Sequence, residues 1–400
     1  MNHQRIFAQV DDRSPRREAA SAVAQTFNLL YRGFAIRRPS ERGLAPAGWK
    51  PAIRQIANLR YGWGCPAPAF TPRGGVRRVR RGGGAGWIVG LALLLGLAGS
   101  VRGADLPITI DSKPDQGVLE VRYQGKKIFV YAFATNQFKP YVRELYTLRG
   151  ENVTRDAPPD HLHHHGLMYA VYVNGVNFWE ERGTPGIERH AEMALAVARM
   201  SPEGLPIATF QEFIQWLSPS NQPAADPGAA AVLHERRTVT VTVDEKNEEV
   251  ALHWASEFEV GSQAGKIKIH GPNYDGLGIR LPESFNHVAK FQNAANLPYT
   301  AKDTHDVTTA KWTSVSGQMD GHEVMLAMFS CPSNARGDTA FYTMLDPFAY
   351  LSATQALDKQ PLEYAAGDKF SLNYLLTVYP AHKAREFIQN RYERWEKEQP

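Results

Sequence analysis

The sequence predicts an all-β chain: one large antiparallel β-sandwich with a single C-terminal α-helix. Three observations predict it. Short segments of alternating apolar and polar residues, split by Gly, Asn, Asp and Pro turn signals, run through residues 104–400. Strand-like and helical patterns do not alternate, as they would in a parallel α/β fold. Only residues 381–397 carry helical apolar spacing, through Phe387, Ile388, Tyr392 and Trp395. Roughly 300 residues of this texture, without internal repeats, suit one sandwich domain.

Charge and composition divide the chain before any strand begins. Residues 1–103 hold 17 Lys and Arg against 4 Asp and Glu, and the remainder holds 28 against 37. The basic excess therefore belongs to the leader, and the acidic remainder excludes a nucleic-acid footprint. Residues 77–103 read as a secretory signal: Arg77, Arg78, Arg80 and Arg81 head an apolar run of 15 residues, 87–101. Fifteen residues fall short of the about 20 that span a bilayer, although an uncleaved anchor in the inner membrane is the alternative. Residues 1–76, rich in Arg, Pro and Gly, are either a disordered tail or an extension upstream of the natural start. The signal places residues 104–400 in the periplasm or outside the cell. The two cysteines, Cys65 and Cys331, lie on opposite sides of this boundary, so no disulfide framework or Cys-based zinc site follows.

In the folded part, residues 118–123 and 127–131 flank Gln124-Gly125-Lys126 and read as a hairpin. Residues 167–173 and 176–179 flank Asn174-Gly175, the dipeptide that a type I′ turn favours. Residues 238–243 alternate Thr and Val and return as 250–260. Further strands are expected at 266–269, 322–329, 339–345 and 370–379. Residues 218–231, rich in Pro, Ala, Asn and Gly, read as a surface loop.

The densest chemical signal is Asp160-His161-Leu162-His163-His164-His165-Gly166-Leu167, with four of the 12 histidines that follow the leader. If this stretch is extended, His161, His163 and His165 share one face and His164 takes the other. Clustered imidazoles suit a sugar site, where they exchange hydrogen bonds with hydroxyls and act as acid or base near neutrality. They also suit a divalent metal held by His161, His163 and His165, although no second cluster completes a ligand set. His161, His163 and His164 are the expected catalytic residues. Tyr141, Arg143, Trp179, Glu180, Arg280 and Asn334 are the expected substrate-binding residues, because aromatic rings stack on sugar faces while charged groups take hydroxyls. The bland readings are a loop-end histidine cluster solvated by water, a core Trp179, a solvated Glu180 and an Arg280 paired within the protein.

Lys139-Pro140-Tyr141, the Asp160–Leu167 core, Val173-Asn174-Gly175 with Phe178-Trp179, Gly278-Ile279-Arg280 and Pro332-x-Asn334 occur in this order. Together they resemble a family of exported bacterial proteins known as PmoA-like, over nearly all of residues 106–396. The name evokes a methane mono-oxygenase subunit, but residues 104–400 contain none of the apolar spans that such a membrane protein needs. The resemblance implies a β-supersandwich similar to galactose mutarotase, in which a His and a carboxylate act on a sugar ring from a concave sheet. His161, His163 and His164 match the family motif, His165 falls at its variable position, and no carboxylate is assigned. The expected function is an exported protein that binds, and as an enzyme acts on, a saccharide. A noncatalytic carbohydrate-binding module and a metal-dependent enzyme are the alternatives.

Overall fold

The structure is a computed structural model of the 400-residue chain and describes residues 106–219, 231–301, 304–337 and 339–399. The leader segments 1–76 and 77–103, with Cys65, lie outside the described residues, as does most of the 218–231 loop.

The chain starts as a meander of β1 (Ile108–Lys113), β2 (Val118–Tyr123), β3 (Lys126–Ala132), β4 (Tyr141–Leu145) and β5 (Leu167–Ala170). The short pair β6 (Tyr172–Val173) and β7 (Val176–Asn177) follows. Four long strands come next: β8 (Ile187–Met200), β9 (Pro206–Leu217), β10 (Leu233–Asp244) and β11 (Glu249–Val260). Then come β12 (Lys266–His270), β13 (Gly276–Arg280), β14 (Lys290–Asn293), β15 (His305–Thr309) and β16 (Trp312–Met319). The last strands are β17 (His322–Ser330), β18 (Ala340–Met344), β19 (Tyr350–Thr354), β20 (Leu362–Ala365) and β21 (Lys369–Tyr379). Helix α1 (Arg385–Glu398) ends the chain.

A nine-stranded sheet runs β1-β2-β3-β4-β5-β13-β19-β18-β15, and an eight-stranded sheet runs β14-β16-β17-β21-β11-β10-β9-β8. A four-stranded sheet, β20-β12-β6-β7, completes the set. The two large sheets share one apolar core, so the expected antiparallel sandwich is what forms. The expected hairpins form as well. Gln124 and Gly125 (φ 48° and 77°) and Asn174 and Gly175 (φ 51° and 81°) give the paired positive φ of type I′ turns.

Period-2 alternation decides which residues meet the core and which meet the site. On the nine-stranded sheet, Leu167 and Tyr169, Leu277 and Ile279, Phe341, and Leu351 and Ala353 point into the shared core. Their neighbours Met168, Ala170, Tyr342, Met344 and Tyr350 form a second apolar cluster on the opposite face. Gly278 stands on that face, where a Cβ would lie 1.8 Å from the Tyr350 hydroxyl and 3.2 Å from the Trp179 ring. A side chain there would displace both rings.

Helix α1 packs Ile388, Tyr392 and Trp395 against Trp312, Phe329, Leu375 and Tyr379 on the outer face of the eight-stranded sheet. Cys331 lies buried in the same cluster as a free thiol. Full burial of each such large side chain contributes roughly 1.5–3 kcal/mol. Among the described residues no helix is long and apolar enough to cross a membrane. Inside the sandwich Arg237 is fully buried and donates to both Glu235 oxygens, the Tyr131 hydroxyl and the Pro140 carbonyl at 2.8–3.0 Å. A buried guanidinium is tolerated only when so fully paired, and this one fixes the segment that enters β4.

Candidate functional site

The histidine stretch is not a strand. His161 N–H donates to Pro158 O and His164 N–H to His161 O, each at 2.9 Å, so two successive turns precede β5. Pro158-Pro159, with Ala157 at φ 42°, favours turns over pairing. Turning regroups the rings. His161 stacks on His164 at 4.5 Å between centroids, and His163 meets both edge-on at 5.7 and 4.6 Å. His165 leaves in another direction and stacks on Tyr141 at 4.3 Å. The extended grouping of His161, His163 and His165 is therefore wrong.

His161, His163 and His164 line a cleft of about 460 Å³ with Asp160 beside them. Trp179, Tyr274, Tyr342, Phe348 and Tyr350 supply its aromatic surface, and Glu180 and Arg182 stand at its rim. Asn177 builds the Trp179 corner. Its side-chain oxygen accepts from the Trp179 and Glu180 N–H groups at 2.8 and 3.0 Å, the bond pattern of an Asx turn. Phe178 points the other way and packs on Trp216 at 4.8 Å.

Arg280, on β13, organises the histidine wall. The register that pairs Ile279 with Leu167 sets Arg280 beside Gly166, whose carbonyl accepts the Arg280 N–H at 2.9 Å. The guanidinium donates to Asp160 at 2.7 Å and to His164 Nδ1 at 3.3 Å, and lies 3.5 Å from the centre of the Phe348 ring. Asp160 in turn accepts from His161 Nδ1 at 3.0 Å. Partial burial opposes the Asp160 charge, but the bonds from His161 and Arg280 hold its pKa down at about 2. Burial, then the neighbouring His161, Lys139 and Arg182 charges, lowers His163 to about 4. Burial, then the neighbouring His163, His161 and Arg280, lowers His164 to about 2. Both imidazoles are neutral at physiological pH.

Behind this wall His165 lies between Asp156 (2.9 Å) and Glu181 (3.0 Å), and Lys139 Nζ donates to Glu181 (2.8 Å) and to Trp179 O (3.1 Å). With both nitrogens taken, His165 cannot join His161 and His163 on a metal. Among the described residues no group of three or more His, Cys, Asp or Glu side chains could hold one.

Of the expected residues, His161, His163, His164, Trp179 and Glu180 meet at the cleft. Arg280 stands behind it as the link between Asp160 and His164. Tyr141 is buried, its hydroxyl donating to Asp156 at 3.1 Å, and supports His165 rather than the cleft. Arg143 does not line the cleft, and its nearest carboxylate is Glu144 at 3.5 Å. Asn334 is structural. Its amide donates to Ser330 Oγ and Asn373 O at 3.0 Å, and its side-chain oxygen accepts the Asn373 N–H at 2.6 Å.

Sequence reasoning passed over Asp160, Tyr274, Tyr342, Phe348 and Tyr350. It also passed over Asp275, which is fully buried with neither oxygen hydrogen-bonded, so that burial and then Glu180 raise its pKa well above the usual range. Asp160 alone had a signal, its place at the head of the histidine run.

No curated protein matches the chain. Among solved structures it is similar to the GH36 α-galactosidase AgaB from Geobacillus stearothermophilus. That match has 11% identity and a TM-score of 0.41, and covers 68% of this chain and 41% of the enzyme. The α-galactosidase from Lactobacillus brevis gives 6% identity and a TM-score of 0.38, covering 69% of this chain and 40% of the other. A glycoside hydrolase family 97 enzyme from Pseudoalteromonas sp. strain K8 gives 8% and 0.31, covering 68% and 34%. The chain thus spans less than half the length of each, and likeness at this level assigns it no activity. A family model matches residues 118–393, which span the cleft, both large sheets except β1, and most of α1, and the chain belongs to that family, described as Family of unknown function (DUF6807).

Proposed function

We propose that the cleft binds a saccharide and acts on it by acid–base chemistry, with His161 as the base. The observation that carries this reading is the Arg280–Asp160–His161 chain at the edge of an aromatic-lined cleft. A carboxylate fixed by a guanidinium holds Nδ1–H of an imidazole and leaves Nε2 as the proton acceptor, the arrangement by which enzymes orient a general base. Trp179, Tyr342 and Phe348 offer apolar surface for the C–H faces of a sugar ring. The neutral His163 offers one donor and one acceptor to hydroxyls. The reading keeps the exported, PmoA-like and galactose-mutarotase-like character that the sequence resemblance implies.

Ligand-observed NMR of the purified protein with a panel of neutral, acidic and oxidised monosaccharides tests it. Saturation transfer to at least one sugar is expected, weakened by His163→Ala and by Trp179→Ala with the fold retained. A folded protein that binds no member of the panel would defeat the reading.

A further inference from the structure

The partners behind the imidazoles fix where their protons sit. A guanidinium only donates, so its 3.3 Å contact makes His164 Nδ1 the acceptor. Neutral His164 then carries its single proton on Nε2. His161 is the reverse: the Asp160 carboxylate accepts from Nδ1–H at 3.0 Å, so the lone pair is on Nε2. The rings stack at 4.5 Å and 23°, and both line the cleft. One edge of the pair therefore offers a base and the other a fixed N–H donor.

His164 cannot trade its proton. Losing it would leave an imidazolate, and gaining a second would break the Arg280 bond and set two cations together in a buried wall. Its pKa, lowered to about 2 chiefly by burial, agrees. A donor that never transfers its proton is ill suited to protonating a leaving or ring oxygen. It is well suited to holding an oxygen on which negative charge develops, as a neutral imidazole does when it polarises a carbonyl.

Resting on the carbohydrate reading above, we propose that the cleft enolises a sugar carbonyl: His161 removes a proton from the carbon beside it, and His164 Nε2–H holds the enolate oxygen. The C–H pair becomes the C=C π bond, the carbonyl π pair moves onto oxygen, and the proton rests on His161 Nε2 as an imidazolium facing Asp160. Return of a proton to that carbon restores the carbonyl. On the same face, after His161 has traded its proton with water, the result is hydrogen exchange. On the opposite face, delivered by water in the cleft while His161 passes its proton to solvent, it is an epimerisation, with no oxidant or reductant consumed. The substrate class is a sugar with a free carbonyl: a ketose, an open-chain aldose or a ring-oxidised keto sugar.

Incubation of the full chain in D2O with such sugars, followed by proton NMR, reads the step without knowledge of the product. Loss of one C–H signal beside the carbonyl is expected. The rate should fall about 10²–10⁴-fold in His161→Gln and about 10²–10³-fold in His164→Phe, with binding retained. Asp160→Asn, at a partly exposed position, should also slow exchange and serves if the His161 variant does not fold. A sugar that binds but exchanges no carbon-bound proton overturns enolisation and leaves the saccharide site standing. Absence of any sugar binding overturns both.

Discussion

His165 carries a carboxylate at each ring nitrogen, Asp156 at 2.9 Å and Glu181 at 3.0 Å. Both bonds coexist only while the ring holds two protons, so the folded chain contains an imidazolium there. Burial opposes this charge, but the bonds from Asp156 and Glu181 outweigh it and raise the pKa above 6.5. Asp156 precedes the histidine turns and Glu181 follows the Trp179 corner, so one ring ties together the segments that form two walls of the cleft. His165→Phe would keep the stack on Tyr141 and delete both bonds. A hydrogen bond to a charged group contributes about 1.5–3 kcal/mol. Tyr141 still serves Asp156 and Lys139 still serves Glu181, so the loss should lie at the lower sum, about 3 kcal/mol. At about 2–4 °C per kcal/mol, Tm should fall by roughly 6–12 °C. The pH dependence follows from the raised folded-state pKa. The stabilisation is complete below pH 6.5, the ordinary value, and fades as pH rises through the folded-state value. Calorimetry of both proteins across that range should show the gap in Tm narrowing toward alkali. A gap that stays constant, or widens, would refute the imidazolium clamp.

Arg280→Met keeps contact with Phe348 but frees Asp160 and His164; it should cost about 2 kcal/mol in urea denaturation and abolish saccharide binding or turnover. Asn334→Ala should cost roughly 2–4 kcal/mol through its three lost hydrogen bonds while saccharide titrations remain unchanged. Trp395→Ala, at the α1 interface, should cost about 3–5 kcal/mol by thermal denaturation and leave the cleft intact. Expression in a bacterial host followed by fractionation should recover a chain cleaved near residue 103 from the periplasm or medium, and full-length protein in the cytoplasm would contradict export.

Where alternation is clean, sequence and structure coincide. Residues 238–243 and 250–260 lie within β10 and β11, and the Asn174-Gly175 turn has the expected positive φ pair. Helix α1 buries three of the four apolar residues that its spacing marked. The missed strands lack that pattern. β8 contains the run Ala191–Ala196, a mixture of Ala, Glu, Met and Leu with little strand propensity, and much of it is exposed. It is a strand because twelve of its residues pair with β9 across two register shifts, and tertiary pairing overrides local preference. β19 is only five residues long and buried throughout, too short a run for its alternation to stand out.

The site was legible in its composition but not in its wiring. Four histidines in five positions announced it, yet the grouping depended on whether the chain was extended or turned. In an extended chain Asp160 and His161 would point to opposite sides, so adjacency in sequence alone does not pair them. The turns bring Asp160 onto His161 Nδ1, and the β5–β13 register then sets Arg280 against both Asp160 and His164. Arg280 lies 120 positions from Asp160 in sequence, so no spacing rule could link them. The proposed division of labour, a base at His161 and a fixed donor at His164, rests on one guanidinium that can only donate. Two chemically identical side chains meet opposite partners at Nδ1, an acceptor at His161 and a donor at His164, because a single cation touches one directly and the other through a carboxylate.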